Sequence, residues 1–271
     1  MDILIDDIQF NNLVEAEMGG LYHGSSADFD KFDLSYIKSG YGGTAYGYGI
    51  YLTDVLKTAN EYSNITAKRK ADKIRLRIFL EVWFFCQKSG LTKEYNDFAA
   101  LRKKLVFANS KKVTKKDYNI WVQLISGFLE DMSNKIPNDF LDDFNSLTSS
   151  INDKLKNLPL PLRYKVVLKK AGDKFMFLNF DSKIGKEKAK LISDAAKKDN
   201  LKYLEVNEDV YGEQIYVIAV ENYFSQKEFS EWLMDIGFDG ITYADRFSEK
   251  SGDNFNYVIF DPSLINIVEK K

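Results

Sequence analysis

The sequence predicts an α+β protein, a mixed-sheet domain interrupted by a helical insertion. Two observations carry this. Short runs rich in β-branched and aromatic residues stand towards both ends, at 20–24, 49–53, 164–168, 174–180, 214–220, 240–243 and 257–260. Between them, over roughly 91–157, apolar residues recur at helical spacing instead.

Taken in order, the first run, 20–24, reads as a short strand entering a polar loop. The stretch 40–49, Gly-Tyr-Gly-Gly-Thr-Ala-Tyr-Gly-Tyr-Gly, is rich in glycine and tyrosine. Glycine lets backbone approach a ligand closely, and tyrosine offers flat apolar faces. It is not a dinucleotide fingerprint, because no parallel strand–helix–strand unit frames it and no helix opens inside it. Residues 49–53 read as a strand, and Asp54 as the N-cap of a helix through Tyr62. In the middle, Trp121, Leu124, Ile125, Phe128, Leu129 and Met132 follow a helical stripe. Phe140, Leu141, Phe144, Leu147, Ile151 and Leu155 follow another. Pro159-Leu160-Pro161 ends this block, since proline blocks helix continuation. Near the C-terminus Ser225-Gln226-Lys227-Glu228 is a capping box. The helix it opens has Phe229, Trp232, Leu233 and Ile236 on one face and Gly237 as its stop. The boundaries expected are 1–90 for the first half of the sheet domain, 91–163 for the helical insertion and 164–271 for the second half.

The chain has 271 residues, of which 45% are hydrophobic and 29% charged, enough for one large domain or one domain with an insertion. It contains no run of 18 apolar residues, so no membrane span and no membrane partner is expected. An acidic N-terminus and a lone cysteine, Cys86, fit a cytoplasmic protein, although toxins delivered by other routes look the same. Net charge is −2 but unevenly placed: residues 68–116 carry 15 Lys/Arg against 4 Asp/Glu, a net of +11. This basic belt could contact RNA or DNA, or form a solvated helical face. Its aromatics, Trp83, Phe84, Phe85 and Phe98, sit in apolar runs and read as core.

The chain has one histidine, His23, in Leu21-Tyr22-His23-Gly24-Ser25. One His and one Cys exclude a zinc cluster of the usual kind, so no metal is expected. No nucleophile motif of the G-x-S-x-G type accompanies it. His23 is therefore a hydrogen-bonding group in a binding site or a core histidine, and its polar and glycine neighbours favour the first.

These residues carry a resemblance. His23-Gly24-Ser25 after a strand, Gly49-Ile50-Tyr51 opening a strand, Tyr62 eleven residues beyond Tyr51, and Asn256-Tyr257-Val258-Ile259-Phe260-Asp261-Pro262 near the end appear in that order. Together they resemble the His-Tyr-Glu branch of the ADP-ribosyltransferase superfamily, which holds poly(ADP-ribose) polymerases and diphtheria-toxin-like proteins. The resemblance covers about the first 65 residues and the last 40, and is similar to that of bacterial and phage-borne toxin domains. It implies an ADP-ribosyltransferase-like split, mixed or antiparallel sheet with NAD as substrate. It places His23 on the adenosine ribose and the Gly24 backbone and Ser25 hydroxyl on the nicotinamide amide. Gly49 falls in the NAD-binding strand motif, and Tyr51 and Tyr62 stack on the nicotinamide ring.

The chain departs from the branch in one place. The glutamate expected directly before the Tyr-hydrophobic-hydrophobic run is Asn256. A carboxamide oxygen can accept a hydrogen bond from a ribose hydroxyl but cannot take a proton at neutral pH. Asp253 and Glu249 are the nearest carboxylates in sequence that could serve as base. The resemblance thus implies a mono-ADP-ribosyltransferase acting on a protein or nucleic acid, as a toxin or defence effector with a cognate antitoxin or immunity protein. A catalytically inactive binding module and an NAD glycohydrolase stand as alternatives.

Overall fold

The computed structural model describes residues 15–37, 45–101, 104–105, 113–171, 174–245 and 254–271. The fold is α+β and divides into two compact units. One comprises 1–24, 28–60 and 163–271; the other comprises Ser25–Ala27 and Glu61–Leu162.

The first unit carries the sheet. Its strands are β1 (Glu15–Ser25), β2 (Ile50–Thr53), β3 (Leu162–Ala171), β4 (Phe177–Asn179), β5 (Gly240–Ala244), β6 (Phe255–Ile259) and β7 (Ile265–Lys270). They hydrogen-bond in the order β4-β5-β6-β2-β1-β3-β7. β4 and β5 run parallel; the β5–β6, β6–β2, β2–β1 and β3–β7 pairs are antiparallel. In the β2–β6 ladder Tyr51 lies opposite Val258 and Thr53 opposite Asn256. In the β5–β6 ladder Ile241 lies opposite Val258 and Tyr243 opposite Asn256.

Side chains alternate across a strand and paired residues share a face. Tyr51, Thr53, Ile241, Tyr243, Asn256 and Val258 therefore all project from one side of the sheet. Ile241, Val258 and Leu178 on that side are fully buried with Ile192, Ile215, Ala219, Phe229 and Leu233. These belong to three helices whose ranges are Gly185–Lys198, Gly212–Asn222 and Gln226–Asp235.

The second unit is helical. The helices are α1 (Leu56–Ser89), which begins in the sheet unit, α2 (Thr92–Leu101), α3 (Lys115–Ser133) and α4 (Leu141–Lys156). The three helices of the sheet unit are then α5, α6 and α7 in chain order. Ile78, Val82 and Phe85 of α1 form a core with Phe98, Trp121, Ile125, Leu129, Phe144 and Ile151. Thr114 and Asp117 cap α3 reciprocally. Within the sheet unit the two ends of the excursion lie together: the Arg163 guanidinium Nη1 is 3.5 Å from Asn60 Oδ1.

Several expectations need correction. The helix after β2 does not stop near Tyr62; α1 runs unbroken to Ser89 and carries residues 61–89 into the helical unit, ahead of the boundary placed at 91. No glycine or proline interrupts it. Asp54 does not cap it. Both its carboxylate oxygens accept the backbone N–H of Phe255, each at 3.0 Å. The run 214–220 is helix, not strand. Ile215, Tyr216 and Ala219 are buried there while Val217 is exposed, and Gln214 accepts the Tyr211 N–H at its start. Phe85 and Phe98 are core, but Trp83 and Phe84 are not: they are 36% and 62% exposed on α1.

Candidate active site

The three sequence motifs fall on neighbouring strands: His23 near the end of β1, Tyr51 in β2 and Asn256 in β6. The His23 Nδ1 lies 2.8 Å from the Tyr51 carbonyl oxygen. A carbonyl only accepts, so Nδ1 carries the proton and Nε2 presents a lone pair. The ring packs against Phe32 at 5.1 Å, Phe29 at 6.1 Å and Tyr164 at 6.2 Å. Desolvation in this aromatic setting lowers the His23 pKa, against a smaller opposing effect of the bond to Tyr51. The imidazole is thus held neutral, in one tautomer, as an acceptor.

Tyr51 is anchored through its hydroxyl, which donates to the Gly47 carbonyl at 2.9 Å and accepts the Tyr46 N–H at 3.1 Å. Its ring is only partly buried against the sheet core. Gly47 adopts a φ of +124°, a region that side chains rarely enter. At Gly49 a Cβ would stand 2.5 Å from the Ile259 carbonyl oxygen. Close approach to β6 therefore accounts for that glycine. Residues 40–44 of the same glycine-tyrosine stretch lie outside the described residues.

Asn256 is 6% exposed. Thr53, Thr58 and Asp245 are buried polar residues of the same unit. Thr53 Oγ1 accepts the Val55 N–H, and Thr58 Oγ1 donates to Asp245 Oδ2 at 2.5 Å. Asp54 has its pKa raised, first by desolvation and also by the charge of Asp245, with the Phe255 N–H opposing. Tyr257, desolvated and near Asp54, is pushed up to about 12.

The structure thus joins His23 to the Tyr51 backbone and sets Tyr51 and Asn256 on one sheet face. His23 and Asn256 stand on β1 and β6, with β2 between them. Gly24 follows His23 on β1. The hydroxyl of Ser25 accepts the Ala27 N–H at 3.0 Å. Tyr62 is half-buried on α1 and belongs to the helical unit. Asp253 and Glu249 lie outside the described residues. Sequence reasoning missed Asp245 and Thr58. They are 187 residues apart, and only the strand register and the start of α1 bring them together.

Among the described residues no group of three or more His, Cys, Asp or Glu could hold a metal ion, and no helix is long and apolar enough to cross a membrane. The lone thiol, Cys86, is buried in the helical unit, and burial pushes it up to about 11, which makes it a poor nucleophile. Comparison with family models, with curated proteins and with solved structures finds no match.

Proposed function

We propose that this chain is an NAD-dependent mono-ADP-ribosyltransferase that transfers ADP-ribose to a protein or nucleic-acid acceptor and releases nicotinamide. The observation that carries this reading is the placement of the His23, Tyr51 and Asn256 motifs on the adjacent strands β1, β2 and β6. A neutral His23 with Nε2 as acceptor suits the ribose hydroxyl of the adenosine half. The Gly24 backbone and the Ser25 hydroxyl are assigned to the nicotinamide amide. The partly exposed Tyr51 ring, fixed through its hydroxyl, offers a face to the nicotinamide cation. The buried Asn256 carboxamide suits the hydroxyl of the reacting ribose.

The finer fold reading belongs with this proposal. The split of an ADP-ribosyltransferase-like sheet would fall between β2 and β1, which meet with Tyr22 opposite Thr53, whereas β2 and β6 share four registered pairs. We place the protein among toxin or defence effectors held in check by an inhibitor protein.

Asn256 favours a second reading, an inactive NAD-fold module. Incubation with labelled NAD and a cell lysate separates the two, with protein and nucleic-acid fractions counted apart and His23→Ala as control. Label in one fraction, lost in the control, is the expected result and names the acceptor class. Free ADP-ribose without labelled macromolecule would make the protein a glycohydrolase. Absence of both NAD binding and nicotinamide release would overturn the enzymatic reading.

A further inference from the structure

The active-site strand lacks its glutamate, yet a carboxylate stands beside the vacancy. Asp245 follows β5 by one residue, and its backbone N–H continues the β5–β6 ladder by donating to the Asn254 carbonyl at 2.9 Å. Tyr243 is opposite Asn256, so Asp245, two residues further, emerges on the same face as Asn256, one diagonal step away. Such diagonal neighbours stand roughly 7–8 Å apart, a gap that one bound sugar hydroxyl or attacking group can bridge.

The chemistry of the cluster is uncommon for a sheet interior. Asp245 is 3% exposed and Thr58 of α1 2% exposed, and Thr53 and Asn256, paired across β2 and β6, are buried polar residues on the same sheet face as Asp245. Burying several polar side chains together is costly, which makes such a cluster a candidate for function. Here Asn256, 6% exposed, lies opposite Thr53 on one neighbouring strand and Tyr243 on the other. The Thr58 hydroxyl donates to Asp245 Oδ2 at 2.5 Å and fixes the carboxylate in place.

We infer that Asp245 is the general base of the transfer and stands in for the missing glutamate. The inference rests on the ADP-ribosyltransferase reading above. Asn256 holds the ribose hydroxyl. The bond between ribose C1 and the nicotinamide nitrogen breaks, and its electron pair leaves with nicotinamide, which becomes neutral. A hydroxyl or amine of the acceptor forms the new bond to that carbon. Its proton passes to an Asp245 carboxylate oxygen and from there to water. Nothing is oxidised or reduced.

The test compares the full chain with Asp245→Asn and Thr58→Val, reading NAD affinity by calorimetry and the kcat of nicotinamide release. Asp245→Asn is expected to bind NAD within about threefold of the parent but to release nicotinamide about 100-fold or more slowly. Thr58→Val keeps Asp245 but removes the hydroxyl that donates to it. Its kcat is therefore expected to fall about tenfold with NAD affinity kept, a split that a purely structural role would not cause. Parent-like turnover in Asp245→Asn overturns the inference while leaving the transferase reading standing. If Asp245→Asn fails to fold, a parent-like kcat in Thr58→Val overturns it. A parent protein that neither binds nor cleaves NAD overturns the transferase reading and this inference together.

Discussion

Tyr46 lies flat on Tyr243, with ring centroids 3.8 Å apart and planes 10° apart. Tyr243 is the β5 residue opposite Asn256, so the stack presses the glycine-tyrosine loop onto the strand position that the transferase reading makes central. The same loop is held from its other side by the Tyr51 hydroxyl, which engages both Tyr46 and Gly47. One loop is thereby tied to β2 by hydrogen bonds and to β5 by ring contact.

Tyr51→Phe removes the hydrogen bonds and keeps the ring. Loss of two bonds to partly buried backbone groups is expected to cost about 1–3 kcal/mol. Urea unfolding measures the cost. Because the aromatic face survives, NAD affinity should fall much less than in Tyr51→Ala, and calorimetry on the two variants checks that ordering.

Gly49→Ala should damage the fold more than its size suggests. Its Cβ would meet the Ile259 carbonyl oxygen at 2.5 Å and a Val258 methyl at 2.8 Å. Backbone cannot step aside cheaply, so β2 must shift against β6, at a cost of about 2 kcal/mol or more. Thermal melts of this variant beside Gly127→Ala, where no atom lies within 4 Å, make the comparison.

His23 gives stability a pH dependence of known sign. Its pKa in the folded chain is lowered, chiefly by desolvation, so the unfolded chain binds the proton more readily. The contribution is complete above the ordinary histidine pKa of about 6.5 and is lost as pH falls below it. His23→Gln, which cannot be protonated, should flatten this part of the profile. Unfolding free energies measured from about pH 7.5 down to about pH 5 would show it. The same protonation removes the Nε2 lone pair, so NAD affinity should weaken over the same window.

Asp54 works in the opposite sense. Its pKa is raised, so the folded chain holds the proton more tightly, and ionisation near neutral pH opposes folding. Asp54→Asn keeps an oxygen for the Phe255 N–H and removes the desolvated charge. It should be at least as stable as the parent at neutral pH. That advantage should shrink as pH falls through the carboxylate range, as chemical denaturation at several pH values would reveal.

The strands that carry the candidate site were legible because their patterns are local. His23-Gly24-Ser25, Gly49-Ile50-Tyr51 and the run from Asn256 each announce a strand end or start, and Ser225 with Glu228 announces α7. α1 was legible only at its start. Its inner face, with Ala71, Ile78 and Val82, is buried, yet Leu76, Leu80 and Phe84 leave its outer face apolar too. With both sides apolar there is no clean stripe to read. The run 214–220 misled because β-branched residues dominate it, and burial in a helix at positions 215, 216 and 219 outweighs that preference. Asp245 was invisible for another reason. Its relation to Asn256 exists only through the register of β5 on β6, which no single stretch of sequence encodes.

The meeting of Arg163 with Asn60 has a consequence for how the chain is put together. The polypeptide leaves the sheet unit and comes back about a hundred residues later almost where it left. From the standpoint of β2 and β3, which flank β1, that long detour is one connection between two strands of the same sheet. The closure entropy of a loop grows only slowly with its length, so a connector of a few residues from Asn60 to Arg163 could close the same circuit. The hundred residues in between are thus an editable parenthesis.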